Sequence, residues 1–165
     1  MNMVQKNWKF IGEKVKEPFH YKGCGLDDVY LISGYDKEET PHGGGIRIKN
    51  VEKLHEAIGK FLIRAKKVLS GKELRFLRLQ MGLTQSDLAR ILGCNTQQVA
   101  RYEKEQNEVP GPADRLIRLL YSDKIGPRKI SIKKLLNELD ELDDQINGRM
   151  VFAQVDSNWK KSACL

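Results

Sequence analysis

Residues 84–103 read TQSDLARILGCNTQQVARYE, and this stretch combines two helix signals with a glycine between them. Thr84 and Asp87 have the spacing of a capping box, which begins a helix. Gly93 supplies the left-handed backbone conformation that a tight turn needs. A second helix is predicted over about 95–104. The stretch therefore predicts two short helices joined by a three-residue turn.

The small and apolar residues of this stretch have the spacing that two helices crossing at a steep angle require. Ala89 must be small because the second helix approaches its backbone there. Cys94 is interpreted as a small, buried apolar residue. The side chains predicted to fill the angle between the helices are Leu88, Leu92, Val99 and Tyr102.

Further helices are predicted on both sides. Ser70 and Glu73 have the spacing of another capping box, for a helix that Gly82 ends. On the other side, Pro112 can occupy the first position of an amphipathic helix. Upstream, an apolar stripe at helical spacing predicts a longer helix over 51–69.

This arrangement resembles the helix-turn-helix of the XRE, or lambda-repressor-like, family of DNA-binding domains. Eight spaced positions from Gln85 to Tyr102 carry the resemblance. It covers 70–122, which is four of the family's usual five helices, and 130–146 is a candidate fifth. The predicted fold class is mainly α with a small β element. It comprises a lambda-repressor-like helix-turn-helix bundle and an N-terminal α+β module with a β-hairpin.

The resemblance implies roles for individual residues. In such domains the second helix of the motif lies in the major groove, and its N-terminal residues face base edges. The base contacts it implies come from Thr96, Gln97, Arg101 and Asn95. The phosphate contacts it implies come from Gln85, Gln98, Arg90 and Lys104. It also implies a structural ion pair between Arg78 and Glu103.

The distribution of charge agrees with binding to a polyanion. The chain has a net charge of +7. Residues 1–58 are balanced, whereas 59–136 hold seventeen basic and seven acidic side chains. Residues 137–165 hold three basic and six acidic side chains. A basic middle between neutral and acidic segments is expected of a nucleic-acid-binding protein, although a solvated basic surface has the same composition.

The segments outside 70–122 are predicted from weaker signals. Residues 1–18 are expected to form a flexible arm. In 19–68, VYLIS (29–33) and IRI (46–48) are predicted to pair as a hairpin around a glycine-rich turn, before the helix over 51–69. This module is assigned to dimerisation or partner binding.

The C-terminal segment, 130–165, is predicted to hold an amphipathic helix, a strand at VFAQV (151–155) and a tail. The apolar seam of the helix consists of Ile132, Leu135, Leu139, Leu142 and Ile146. A seam of two heptads is too short to identify a coiled coil. It therefore leaves two alternatives: packing on its own domain or pairing with a second subunit.

A zinc site is considered and not predicted. His20, Cys24 and His42 are metal-ligand types, but a zinc ribbon needs four ligands and KGCGLDD holds one cysteine. The N-terminal segment resembles the zinc-ribbon modules of certain XRE antitoxins without their cysteines. No metal, cofactor or catalytic centre is predicted, and the protein is not expected to be an enzyme.

The cellular location is predicted from what the sequence lacks. No stretch is apolar enough to cross a membrane, and the N-terminus does not read as a secretory signal. Three cysteines far apart do not suggest disulfides. A cytoplasmic protein is expected.

The predicted function is a sequence-specific transcription regulator, a repressor that binds a double-stranded DNA operator as a homodimer. A narrower hypothesis makes it the antitoxin of a toxin–antitoxin operon, with a cognate toxin protein as its partner. The alternative is a regulator without a toxin, whose N-terminal module binds a small ligand or another protein.

Overall fold

A computed structural model describes residues 18–41, 43–126, 132–142 and 149–162, and six helices and six strands lie within these ranges. The helices are α1 (Val51–Ala65), α2 (Gly71–Gln80), α3 (Gln85–Leu92), α4 (Thr96–Glu103), α5 (Gly111–Lys124) and α6 (Ile132–Asp140). The strands are β1 (Phe19–His20), β2 (Val29–Leu31), β3 (Tyr35–Thr40), β4 (Gly43–Ile48), β5 (Met150–Val155) and β6 (Asn158–Lys161). The predicted fold class is confirmed. The arm assigned to 1–18 lies almost entirely outside the described residues.

Two capping boxes begin α2 and α3, as the sequence predicts. Ser70 accepts a hydrogen bond from the backbone N–H of Glu73, whose carboxylate accepts one from the N–H of Ser70 at 2.8 Å. Thr84 and Asp87 exchange the same pair of bonds at the start of α3. These contacts satisfy N–H groups that the first turn of a helix leaves without partners.

One sheet is built from distant parts of the chain. Its strand order is β1-β2-β5-β6, and β2 and β5 run parallel, with Val29 opposite Met150 and Leu31 opposite Phe152. These four side chains are buried in the core. The strand predicted at 151–155 therefore lies beside a strand near the other end of the chain. The division into 19–68, 70–122 and 130–165 stays a prediction.

The predicted partners of the hairpin are wrong. IRI (46–48) belongs to β4, but β4 pairs with β3, and the VYL residues form β2 in the other sheet. Most of the segment between VYLIS and IRI, which was predicted to be the turn, instead forms β3 and the start of β4. The physical reason is burial: Val29 and Leu31 are completely buried between other strands, whereas β3 and β4 form a ribbon with exposed polar side chains.

Buried polar contacts join α5 to the end of α1 and to the segment between α1 and α2. Arg118 is 0% exposed and forms an ion pair with Asp114. Its guanidinium also donates to the carbonyls of Leu62, at 3.0 Å, and Lys67, at 3.4 Å. Asp114 accepts in addition from the N–H of Leu69 at 2.8 Å. The segment between α1 and α2 is thereby fastened to α5.

A histidine makes a second junction between the module and the helix bundle. The Nε2 atom of His55 lies 2.9 Å from the Tyr21 hydroxyl, and its Nδ1 atom lies 3.2 Å from the Gln80 amide nitrogen. Its ring also packs edge-on against Phe76. Burial lowers the pKa of His55, so the neutral form is favoured.

The apolar seam of α6 packs on its own chain. Leu135 and Leu139 are buried, α6 contacts α1, and Asp140 forms an ion pair with Arg115 of α5 at 3.3 Å. Of the two alternatives left open by the sequence, packing on its own domain therefore accounts for these two leucines. The end of the predicted seam at Ile146 lies outside the described residues.

Candidate nucleic-acid interface

Helices α3 and α4 form the predicted helix-turn-helix. Leu88 and Val99 are completely buried, and Ala89 is 3% exposed. Gly93 has a φ of 68°, and the N–H of Cys94 donates to the carbonyl of Ala89 at 3.0 Å, so the chain turns within three residues. Three further predicted core residues are partly buried and pack against the core: Leu92, Cys94 and Tyr102.

The opposite face of α4 is polar and open. Thr96, Gln97, Arg101 and Lys104 are exposed. Gln97, Arg101 and Lys104 follow one another at spacings of four and three, so they share one face of the helix. The structure thus brings three of the eight predicted contact residues to one side of α4.

A buried ion pair fixes the end of α4. The guanidinium of Arg78 donates to both carboxylate oxygens of Glu103, at 2.5 and 3.0 Å, and also to the carbonyl of Leu83 at 2.6 Å. The side chains of Arg78 and Glu103 are 7% and 3% exposed. Such a bidentate contact restricts the orientation of α4 relative to α2.

Two predicted contact residues also have partners within the protein. The side-chain amide of Gln85 donates to Glu103 at 2.8 Å, which adds α3 to the ion pair. The side-chain oxygen of Asn95 accepts from the N–H of Gln98 at 2.8 Å and caps α4. For Asn95, the amide nitrogen is therefore the atom left to face outward.

Arg90 is engaged by an ion pair but stays accessible. Its guanidinium lies 2.5 Å from the Asp87 carboxylate, and its side chain is 77% exposed. Hydrogen bonds from the side chain and backbone of Thr84 lower the pKa of Asp87, and Arg90 adds to that effect. The contact is a solvated surface pair, which costs little to open when a phosphate approaches.

A close contact at Gly71 could not be predicted from the sequence. A β-carbon at this position would collide with the carbonyl oxygen of Tyr102, so the start of α2 lies directly against the last turn of α4. The buried Arg118 and Asp114 were missed in the same way. Their spacing of four on an apolar helix was the available signal.

Metal ligation and membrane insertion have no support within these ranges. No three histidine, cysteine or acidic side chains of the described residues are grouped as a metal site would require. His42 lies outside those residues. Among the helices described, none is long and apolar enough to span a bilayer.

Comparison with known families identifies the class of the motif. Residues 74–112 match a family model described as helix-turn-helix. None of the curated proteins and none of the solved structures compared with the chain matches it. Over residues 74–112, the match and the geometry of α2 to α4 together support an XRE-like helix-turn-helix, a kind of domain found in DNA-binding transcription regulators.

Proposed function

We propose that the protein is a sequence-specific transcription regulator of the cytoplasm, a repressor that binds its operator as a dimer. The observation that carries the proposal is the exposed polar face of α4 on a helix held by a buried ion pair. A reading helix needs both properties, because base contacts require side chains of fixed position. We propose no enzymatic role.

Base reading is assigned to the first two turns of α4. Gln97 can bond bidentately to the N6 and N7 groups of adenine, and Arg101 can bond to O6 and N7 of guanine. Thr96 lies at the first position of the helix and can contact either kind of base edge. Asn95 contributes its amide nitrogen.

Phosphate contacts are assigned to the rim of this face. The N-terminal turn of α3 offers backbone N–H groups, and Gln85 lies at its first position. Its bond to Glu103 makes Gln85 a residue that positions α3 as well as a phosphate ligand. The other proposed phosphate contacts are Gln98, Arg90 and Lys104.

Removing a base contact is expected to weaken binding selectively. Gln97→Ala and Arg101→Ala should each cost about 1–3 kcal/mol on the cognate operator and relax preference at one base pair. Footprinting of DNA upstream of the gene locates the operator. Titration of each protein variant against this operator and its single-base variants then measures affinity and base preference. Asn137→Ala, an exposed amide on α6, is the matched control and should change nothing. Full selectivity in both α4 variants would refute the assignment.

Removing a phosphate contact is expected to act on all sequences alike. Lys104→Ala should weaken operator and random DNA by the same factor and reduce the slope of log K against log salt by about 1. Affinities measured over a series of salt concentrations test this. Lys53→Ala, an exposed lysine on α1, should leave the slope unchanged. A slope equal to that of the unaltered protein would remove Lys104 from the interface.

An antitoxin role is the second candidate. The observation that favours it is the sheet module formed by β1, β2, β5 and β6, because reading DNA does not require such an addition. In this proposal the module binds and neutralises a cognate toxin while α4 represses the shared promoter. Protection of cells from a toxin encoded beside the gene is the test.

A regulator without a toxin is the alternative, with a small ligand or another protein as effector. A cleft of about 200 Å³ lies where the sheet module meets the helix-turn-helix. Leu26 and Met150 line it from the module, and Ser70 and Glu105 line it from the bundle. Its volume suits a ligand of only a few atoms. A ligand there would contact the residues that follow α4.

A further inference from the structure

The ribbon formed by β3 and β4 has an open edge. Within the described residues, β3 pairs with β4 along one side and with no strand along the other. Side chains from Lys37 to Glu39 are exposed. Two strands alone are marginally stable in water, and an unpaired edge is a template for another strand.

The backbone groups that face this edge follow from the register. The N–H of Lys49 donates to the carbonyl of Gly34 at 2.9 Å, so these two residues form a hydrogen-bonded pair at the base of the ribbon. Bonded and non-bonded pairs alternate along an antiparallel ladder. The N–H and C=O groups of Tyr35, Lys37 and Glu39 are therefore directed to the open edge.

Of the four charged side chains from Asp36 to Glu39, two form ion pairs within the ribbon. Asp36 pairs with Lys49 at 3.0 Å, and Glu38 pairs with Arg47 at 3.2 Å, both within the ribbon. Lys37 and Glu39 form no ion pair with any residue that the structure describes. Because they are two positions apart on one strand, their side chains lie on the same face.

We propose that a second copy of the chain pairs with this edge, antiparallel to β3 and related by a two-fold axis at Glu38. Lys37 then faces the partner's Glu39, and Glu39 faces the partner's Lys37. Each of these pairs exchanges two backbone hydrogen bonds, and the two ribbons become one four-stranded sheet. The proposal rests on the dimer of the proposed function and supplies its interface.

The charges select this register over its neighbours. Backbone bonds form only in registers that oppose the residues whose N–H and C=O groups face the edge. The two neighbouring registers of this kind move the two-fold axis by one residue, from Glu38 to Lys37 or to Glu39. One such shift places Lys37 opposite the partner's Lys37, and the other places Glu39 opposite the partner's Glu39; both are repulsive. In the proposed register Glu38 meets its own copy, but Arg47 lies 3.2 Å from that carboxylate and offsets the repulsion. Of the three registers, this one alone also opposes Lys37 and Glu39, and it does so twice.

The other pairings of the ribbon are less favourable. β4 begins with Gly43, Gly44 and Gly45, which carry no side chains to fix a register. Pairing β3 with the β4 edge of another copy would leave an edge open at each end and continue into a filament. Pairing along β3 closes at two copies.

The interface is small, so free chains should associate weakly, and more weakly at high salt. Sedimentation equilibrium of the full chain measures the dimer dissociation constant. Lys37→Glu and Glu39→Lys should each raise it roughly 10-fold or more, because two attractive pairs become repulsive. The double swap should restore it to within about 3-fold. Lys53→Glu, at an exposed position of α1, changes the net charge by the same amount as Lys37→Glu and should have no effect.

Three results would overturn the proposal: a chain that is monomeric at all concentrations, dimers insensitive to the single swaps, or a double swap as weak as the singles. Binding to DNA with one half-site separates this proposal from the DNA-reading function. A monomer needs no edge for that contact, so Lys37→Glu should bind a single half-site like the unaltered chain. Failure of the unaltered chain to bind DNA would instead defeat the proposed function while leaving the sedimentation result intact.

Discussion

Arg118→Met is expected to lower the free energy of unfolding by about 3–5 kcal/mol, the range for removing one partner of a buried ion pair. Methionine keeps the apolar stem but leaves Asp114 buried, with the Leu69 N–H as its remaining partner. The carbonyls of Leu62 and Lys67 also lose a donor. Urea denaturation at neutral pH measures the change.

Arg115→Met on the same helix is the control. Arg115 and its partner Asp140 have side chains that are 48% and 68% exposed. Water and salt screen such a pair, so its loss should cost about 0–1 kcal/mol. Equal losses at the two positions would mean that the Arg118 pair contributes no more than a surface contact.

Arg78→Met is expected to combine a stability loss of about 3–5 kcal/mol with weaker DNA binding. The carboxylate of Glu103 would stay buried with only the Gln85 amide as a side-chain partner. Because Glu103 ends α4, the reading face should lose its fixed orientation, and affinity should fall even at temperatures where the variant is folded. Denaturation and operator titration of the same sample separate the two effects.

Two variants sharpen this test. Arg75→Met, an exposed arginine on the same helix, should leave stability within about 0.5 kcal/mol. Arg78→Lys keeps the charge but not the two-pronged contact, so it should fall between Arg78→Met and the unaltered protein. Normal operator affinity in folded Arg78→Met would show that the pair does not position α4.

The helices could be predicted because their signals are local. The hydroxyls of Ser70 and Thr84 bond to backbone three residues ahead, and Gly93 adopts its turn conformation within its own segment. Such contacts can be read from spacing alone. The roles that depend on residues far along the chain could not be read in this way.

The hairpin shows where spacing fails. VYL and IRI both have strong β character, and their proximity in sequence favoured pairing. The partner of VYL is 150–152, and no turn signal links the two. β3, in contrast, reads as a polar loop because three of its side chains are carboxylates, which have low β propensity.

The candidate site was predictable in outline. Exposure of Gln97 and Arg101 on one face follows from their spacing, and their contacts with bases stay predictions. The internal bonds of Asn95 and Gln85 were not foreseen, because a polar side chain at a helix start suits a ligand as well as a cap. For Arg118, residue type pointed to the surface and long-range packing decided otherwise.

The parallel pairing of β2 with β5 has a consequence for the order of events on the ribosome. Val29 cannot pair with Met150 until that residue, about 120 positions later in the chain, has been synthesised. Translation at 5–20 residues per second makes the delay roughly 6–24 s. The contacts of α2 to α4 are local, so these helices can form within that interval. A nascent chain can thus form α2 to α4 first, while the edge of β2 that pairs with β5 stays open until β5 emerges.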